Sequence, residues 1–188
     1  MTPLSDLELL ARLVAFDTTS ATRNPTRPLG DFVCDYLDHR GIRAERFDCG
    51  YGQENLWFET GPPIRDDGAG LLLCGHVDVV PATEPEWTGD PFTLRLQGDR
   101  AIGRGACDMK GFDAIALNLL RSAAEAGGLE TPLAVLLTCN EEIGTVGAGR
   151  FAEQWGDRPI PRRTIVGEPT SERAVQGHKG DLSLSIEI

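Results

Sequence analysis

Four short stretches of this sequence hold residues whose types and spacing could do chemistry. In Gly75-His76-Val77-Asp78, His76 and Asp78 lie two apart in what reads as extended chain. Side chains at that spacing face one way. An imidazole there can give one nitrogen to a metal while a carboxylate such as Asp78 fixes its tautomer. The plainer reading is a local hydrogen bond. Asp108, in Gly103-Arg104-Gly105-Ala106-Cys107-Asp108-Met109-Lys110-Gly111, falls where a loop meets a helix. It could bridge two cations or simply cap the helix. Glu141 and Glu142 follow the apolar run Leu133–Cys139. One could bind metal while the other stays free as a base, or both could be solvated. Glu168, before Pro169, ends the run Ile165-Val166 and could be a ligand or a capping residue.

On one rim these five carboxylates would repel one another and raise their own pKa values. Two divalent cations would remove that conflict. Imidazole and carboxylates without thiolates suit catalytic zinc, cobalt or manganese. A pair of metals can stabilise both the attacking water and the developing oxyanion. Lys179, in Gly177-His178-Lys179-Gly180, could meet a substrate carboxylate, although a solvated lysine is the simpler reading. His178 and His39 read as local structural histidines, His39 in the last turn of a helix.

The elements that must position these residues can be read from pattern. Ser5-Asp6-Leu7-Glu8 is a capping-box signature before helically spaced apolar residues. A second helix is predicted over 27–40, stopped by Gly41. Strands are predicted at 42–48 and 54–59. Leu71–Cys74 is wholly apolar and reads as a strand buried on both faces, and Leu133–Cys139, apolar but for Thr138, reads the same way. Ile165-Val166 reads as a third core strand. Between them lie a hairpin, 92–96 with 100–103, and helices at 109–126 and 146–155. Alternating strands and helices predict an α/β layered fold with a mainly parallel sheet. The candidate residues fall at or just beyond the carboxyl ends of its strands, the edge where such sheets bind ligands, or at the start of a helix. Leu182, Leu184, Ile186 and Ile188 alternate with polar residues, the period of a half-buried strand. An apolar face there must cover something, so the natural protein is expected to continue beyond it.

The 188 residues fit one domain, or one with a fragment of a second. With 29 acidic against 18 basic residues, the net charge is −11. That balance argues against a nucleic-acid partner and leaves room for metal cations. No segment approaches a membrane span, and the start lacks a secretory pattern. Five widely spaced cysteines with no C-x-x-C suggest reduced thiols in a cytoplasmic protein.

Together the four motifs, in their order and spacing, resemble the di-zinc amidohydrolases and exopeptidases of the aminoacylase and bacterial glutamate-carboxypeptidase type. The similarity also takes in Trp87 and Asp90-Pro91-Phe92-Thr93-Leu94 and covers nearly the whole chain. It implies a three-layer α/β/α catalytic domain of zinc-exopeptidase type over 1–176. Residues 177–188 would then lead into a lid or dimerisation domain. By the same resemblance His76 and Glu168 bind one metal, Asp108 bridges, and Glu142 binds the second. Glu141 is the general base, Asp78 orients His76, and the Asp108–Met109 bond is often cis. Such enzymes hydrolyse N-acyl amino acids and are often homodimers. His178-Lys179-Gly180 and Phe112 resemble the branch acting on N2-acetylornithine more than the desuccinylases or dipeptidases. The family supplies a further metal-binding histidine far down a longer chain, and neither His39 nor His178 matches it. The second metal site is thus expected to be incomplete here. A fragment holding at most one metal well, or an acidic domain with solvated carboxylates, are the rival readings.

Overall fold

The computed structural model describes residues 1–20, 23–171, 173–175 and 177. The chain builds α1 (Asp6–Val14), α2 (Arg27–Tyr36), β1 (Ile42–Gly50), β2 (Gln53–Thr60) and β3 (Leu71–His76). There follow β4 (Arg95–Gln97), β5 (Arg100–Ile102), α3 (Lys110–Ala126), β6 (Leu133–Thr138), α4 (Val146–Trp155) and β7 (Arg163–Val166).

One five-stranded sheet has the order β1-β2-β6-β3-β7, and β4 and β5 form a separate hairpin. β3 is parallel to both β6 and β7, whereas β2 is antiparallel to β1 and β6. Four of the five strands therefore share a direction and β2 alone opposes them, so the sheet is mainly parallel as the sequence predicts.

Alternation along the strands separates two cores. Leu133, Val135 and Leu137 of β6 pack with Leu56, Phe58 and Leu73 against Leu9, Leu13, Leu29, Val33, Leu117 and Leu120 of α1, α2 and α3. On the opposite face, Ala134 and Leu136 pack with Trp57, Phe47 and Leu72 against Phe151 and Trp155 of α4. The result is a three-layer α/β/α fold, and the unbroken apolar runs of β3 and β6 follow from having helices on both faces.

The capping box of α1 forms as read, with Ser5 and Glu8 satisfying each other's backbone N–H groups. Two expectations are corrected. α2 stops at Tyr36 rather than near residue 40: Leu37 leaves helical geometry at φ −92° and ψ 6°, and the freed Tyr36 carbonyl accepts from Arg121 Nη1 at 2.9 Å. Among the described residues β7 lies at the edge of the sheet, where a core strand was expected. All four of its residues are exposed, Ile165 at 50% and Val166 at 58%. Residues 178–188, including the alternating segment, lie outside the described residues.

Candidate metal centre

The β3 strand ends at His76, and its extension is clamped from the N-terminal loop. Val77 donates its N–H to the Thr138 carbonyl at 2.9 Å, and Val79 donates to the Thr18 carbonyl at 3.2 Å. The Thr18 hydroxyl donates to the Val77 carbonyl at 2.6 Å. Lys110, wholly buried, reaches back from α3 and donates Nζ to the Phe16 carbonyl at 2.9 Å. This fastening brings the loop 16–20 and the start of α3 together under the strand end.

His76 is 1% exposed. Its Nδ1 stands 2.9 Å from the main-chain carbonyl of Asp78. A carbonyl can only accept, so Nδ1 carries a proton, and Nε2 is the atom left for a cation or a second proton. Nε2 faces Asp108 Oδ1 at 3.0 Å, Glu168 Oε1 at 3.8 Å and Glu141 Oε2 at 3.9 Å. One imidazole and three carboxylates thus converge from the ends of β3 and β7, the turn after β6 and the approach to α3.

Asp78 has a different task from the one expected. Its carboxylate is 3.7 Å from His76 Nδ1, beyond a good hydrogen bond, so its main chain rather than its side chain fixes the tautomer. The carboxylate instead accepts the backbone N–H groups of Glu141 at 2.9 Å and Glu142 at 3.1 Å. The same turn is held from below by Asn55, whose Oδ1 accepts from Cys139 N at 2.9 Å and whose Nδ2 donates to the Gly147 carbonyl at 2.8 Å. Gly147 permits that approach, since a Cβ there would fall 1.8 Å from the Cys139 carbonyl oxygen.

Burial, reinforced by Asp108, holds the Glu142 and Glu168 carboxyls above their ordinary range. Burial also works against a charged His76, but the Asp78 and Asp113 carboxylates outweigh it and raise the ring's pKa. Without a cation, a proton must occupy the gap between Nε2 and Asp108, because two acceptors cannot otherwise meet at 3.0 Å. A divalent cation satisfies the same lone pairs. Single ligand atoms of His76, Asp108 and Glu168 all lie within 4.8 Å of one another, which fits one ion. The donor set, one nitrogen with carboxylate oxygens, suits zinc, cobalt or manganese. Glu142 stands outside this trio but close enough to feel Asp108 and Glu141.

Asp108 does not cap α3: Met109 holds the cap position and no side chain bonds there. The Asp108–Met109 peptide is cis. Lys179 and His178 lie outside the described residues. A cavity of about 1010 Å³ opens over His76, Glu141 and Glu168 and runs along Ile165 and Val166. Pattern reading missed Thr18, Lys110 and Asp113. Asp113 is fully buried, its carboxylate filling the space a Cβ at Gly75 would take. Burial pushes its pKa far up and lowers that of Lys110 to about 8. A lysine and an aspartate three apart in a helix that is otherwise apolar on that face were the available signal.

Comparison with known proteins gives one answer at the level of family. Residues 72–179 match the family described as peptidase family M20/M25/M40. The acetylornithine deacetylase of Shigella sonnei is 44% identical over 186 residues, covering 97% of this chain and 47% of that protein. The acetylornithine deacetylase of Proteus mirabilis is 37% identical over 188 residues, with the same shares. This chain therefore spans about half the length of the curated relatives it matches. Among solved structures, an M20 family metallo-carboxypeptidase, Sso-CP2 from Sulfolobus solfataricus, superposes with a TM-score of 0.73 at 22% identity. That match covers 88% of this chain and 37% of the other. Human carnosine dipeptidase 1 gives 0.71 at 22% identity, covering 86% and 37%. At that identity the likeness speaks for the fold. No helix among the described residues is long and apolar enough to cross a membrane.

Proposed function

This chain belongs to peptidase family M20/M25/M40, and from that premise we propose that it carries the metal-binding half-site of an N-acyl amino acid hydrolase. The substrate we assign is N2-acetyl-L-ornithine, cleaved to ornithine and acetate in the cytoplasm. The observation that carries the reading is the convergence of one imidazole nitrogen and three carboxylates at the strand ends. The identity to two acetylornithine deacetylases over 97% of the chain supports the choice of acyl group.

Residues 1–176 form the catalytic unit in this reading. His76 and Glu168 hold one divalent cation, zinc before cobalt or manganese, Asp108 bridges, and Glu142 serves a second. When bound, such cations acidify water and polarise the acyl carbonyl. Glu141, whose carboxylate lies at the edge of the cluster rather than in the 4.8 Å trio, is placed to take the water's proton and pass it to the leaving amine. Asp78 keeps that base in place through the two N–H groups it accepts. Lys179 is assigned to the substrate carboxylate, and the working protein is a homodimer.

A second reading has one observation in its favour: among the described residues only His76, Asp108 and Glu168 form a compact ligand group. On that reading the chain holds one metal and does not turn over. Elemental analysis with N-acetylornithine hydrolysis on the same sample separates the two. About two metals with turnover supports the hydrolase, and Glu141→Gln should then lower turnover by about 10² or more with metal content unchanged. A Glu141→Gln protein retaining over about a tenth of parent activity refutes its role as base. One metal without turnover supports the second reading, and no metal refutes both.

A further inference from the structure

The strand end that carries Glu168 is seated on an aromatic ring. Gly167 stands directly before Glu168, and its N–H donates to the Cys74 carbonyl at 3.1 Å. A Cβ added at Gly167 would lie 2.0 Å from Phe112 Cγ and 2.3 Å from both Cδ atoms. Gly167 is not among the residues with positive φ, so its backbone would accept any side chain. Space alone demands the glycine there, and the ring of Phe112 defines that space. Phe112 sits on the first turn of α3, four residues after Asp108. The ring therefore spans from the helix start beside Asp108 to the strand end beside Glu168, and both residues face His76 Nε2.

We propose that Phe112 is a positioning residue for the metal centre: its ring, packed on Gly167, sets the separation of Asp108 and Glu168. Among the described strands β7 pairs only with β3, and that pairing ends at Cys74 and Val166. Just beyond that pairing, the residue before Glu168 is seated by one hydrogen bond to Cys74 and by the face of the Phe112 ring. Supporting groups of this kind change metal affinity about 10–100-fold when altered. The inference rests on the metal-binding reading of the site.

The test uses Co²⁺ titration of the metal-free chain. Visible d–d absorption reports coordination, a competing chromophoric chelator gives affinity, and thermal unfolding without metal gives stability. Gly167→Ala pushes ring and strand apart, and Phe112→Ala removes the spacer. Each should weaken Co²⁺ binding about ten-fold or more and alter the spectrum. In the double variant Phe112→Ala/Gly167→Ala the new methyl occupies part of the vacated space, and affinity should recover beyond either single variant. Phe112→Leu is the milder companion should Phe112→Ala not fold, and is expected to fall between parent and Gly167→Ala. If the parent binds Co²⁺ and the variants bind within about two-fold with the parent's spectrum, the positioning role is wrong, whatever their thermal stability. A parent that binds no Co²⁺ overturns the metal reading itself and the inference with it.

Discussion

Asp78→Asn separates two accounts of one buried carboxylate. Asp78 is 1% exposed and accepts from two adjacent N–H groups, those of Glu141 and Glu142. Asparagine keeps one acceptor oxygen and turns a donor NH₂ toward the other N–H. One charge-assisted hydrogen bond is lost, about 1.5–3 kcal/mol, and one buried donor is orphaned, about 1–3 kcal/mol more. Removing the charge also relieves repulsion on Glu142 and takes away an attraction for a protonated His76, two effects of opposite sign. The net loss is about 3 kcal/mol, a fall in Tm of about 6–12 °C for a chain of this size. Circular dichroism melts of the metal-free protein measure it, and Co²⁺ affinity on the same samples should fall as the glutamate turn loosens. A variant melting within about 2 °C of the parent would refute this task for Asp78. The original expectation, a carboxylate orienting His76, would then regain ground.

Three further outcomes are expected. His76 is held above its ordinary 6.5, and Glu142 and Glu168 above 4.5. Protons on these groups are thus bound more tightly in the folded chain. Metal-free stability should fall as pH rises from about 5 to 7.5, while saturating zinc should reverse the slope, since metal competes with protons; metal-free melts that rise across this window would contradict the signs. Thr18→Val removes the hydroxyl bond to Val77 and should cost about 1 kcal/mol, or about 2–4 °C in Tm; an unchanged melt argues against the clamp. Gly75→Ala places a Cβ 2.1 Å from Asp113 Oδ1 and should destabilise by about 1–3 kcal/mol, measured by urea titration; a neutral result would show that Asp113 can move aside.

What could be read beforehand was local. The bounds of α4 at 146–155 and the run of β6 follow from apolar spacing and flanking breakers. His76, Glu141 and Glu168 were visible because an apolar run gives way shortly before each of them, and Asp108 because a glycine-rich loop there meets a helix. What could not be read was partnership across the chain. Nothing near Asp78 says that its carboxylate meets N–H groups of residues 141 and 142, or that Arg121 takes the carbonyl that would have prolonged α2. The apolar Ile165-Val166 looks like any interior pair, and its exposure depends on strand order. Lys110 and Asp113 sat inside a helix pattern, where charge ordinarily means solvent, and both proved buried.

The strand order has a consequence for how the molecule comes into being. β3 lies between β6 and β7, yet both neighbours are synthesised later, with Leu71 pairing across to Leu133 and to Arg163. On emergence it has neither hydrogen-bonded partner, and its first must arrive from a distant stretch of chain. Pairings of such long separation close slowly, because loop entropy is lost before any contact compensates. His76 and Glu168 meet only at the second closure, so assembly of the cluster reports on the pairing of β7 with β3. Binding of a cation there would favour the closed sheet by mass action.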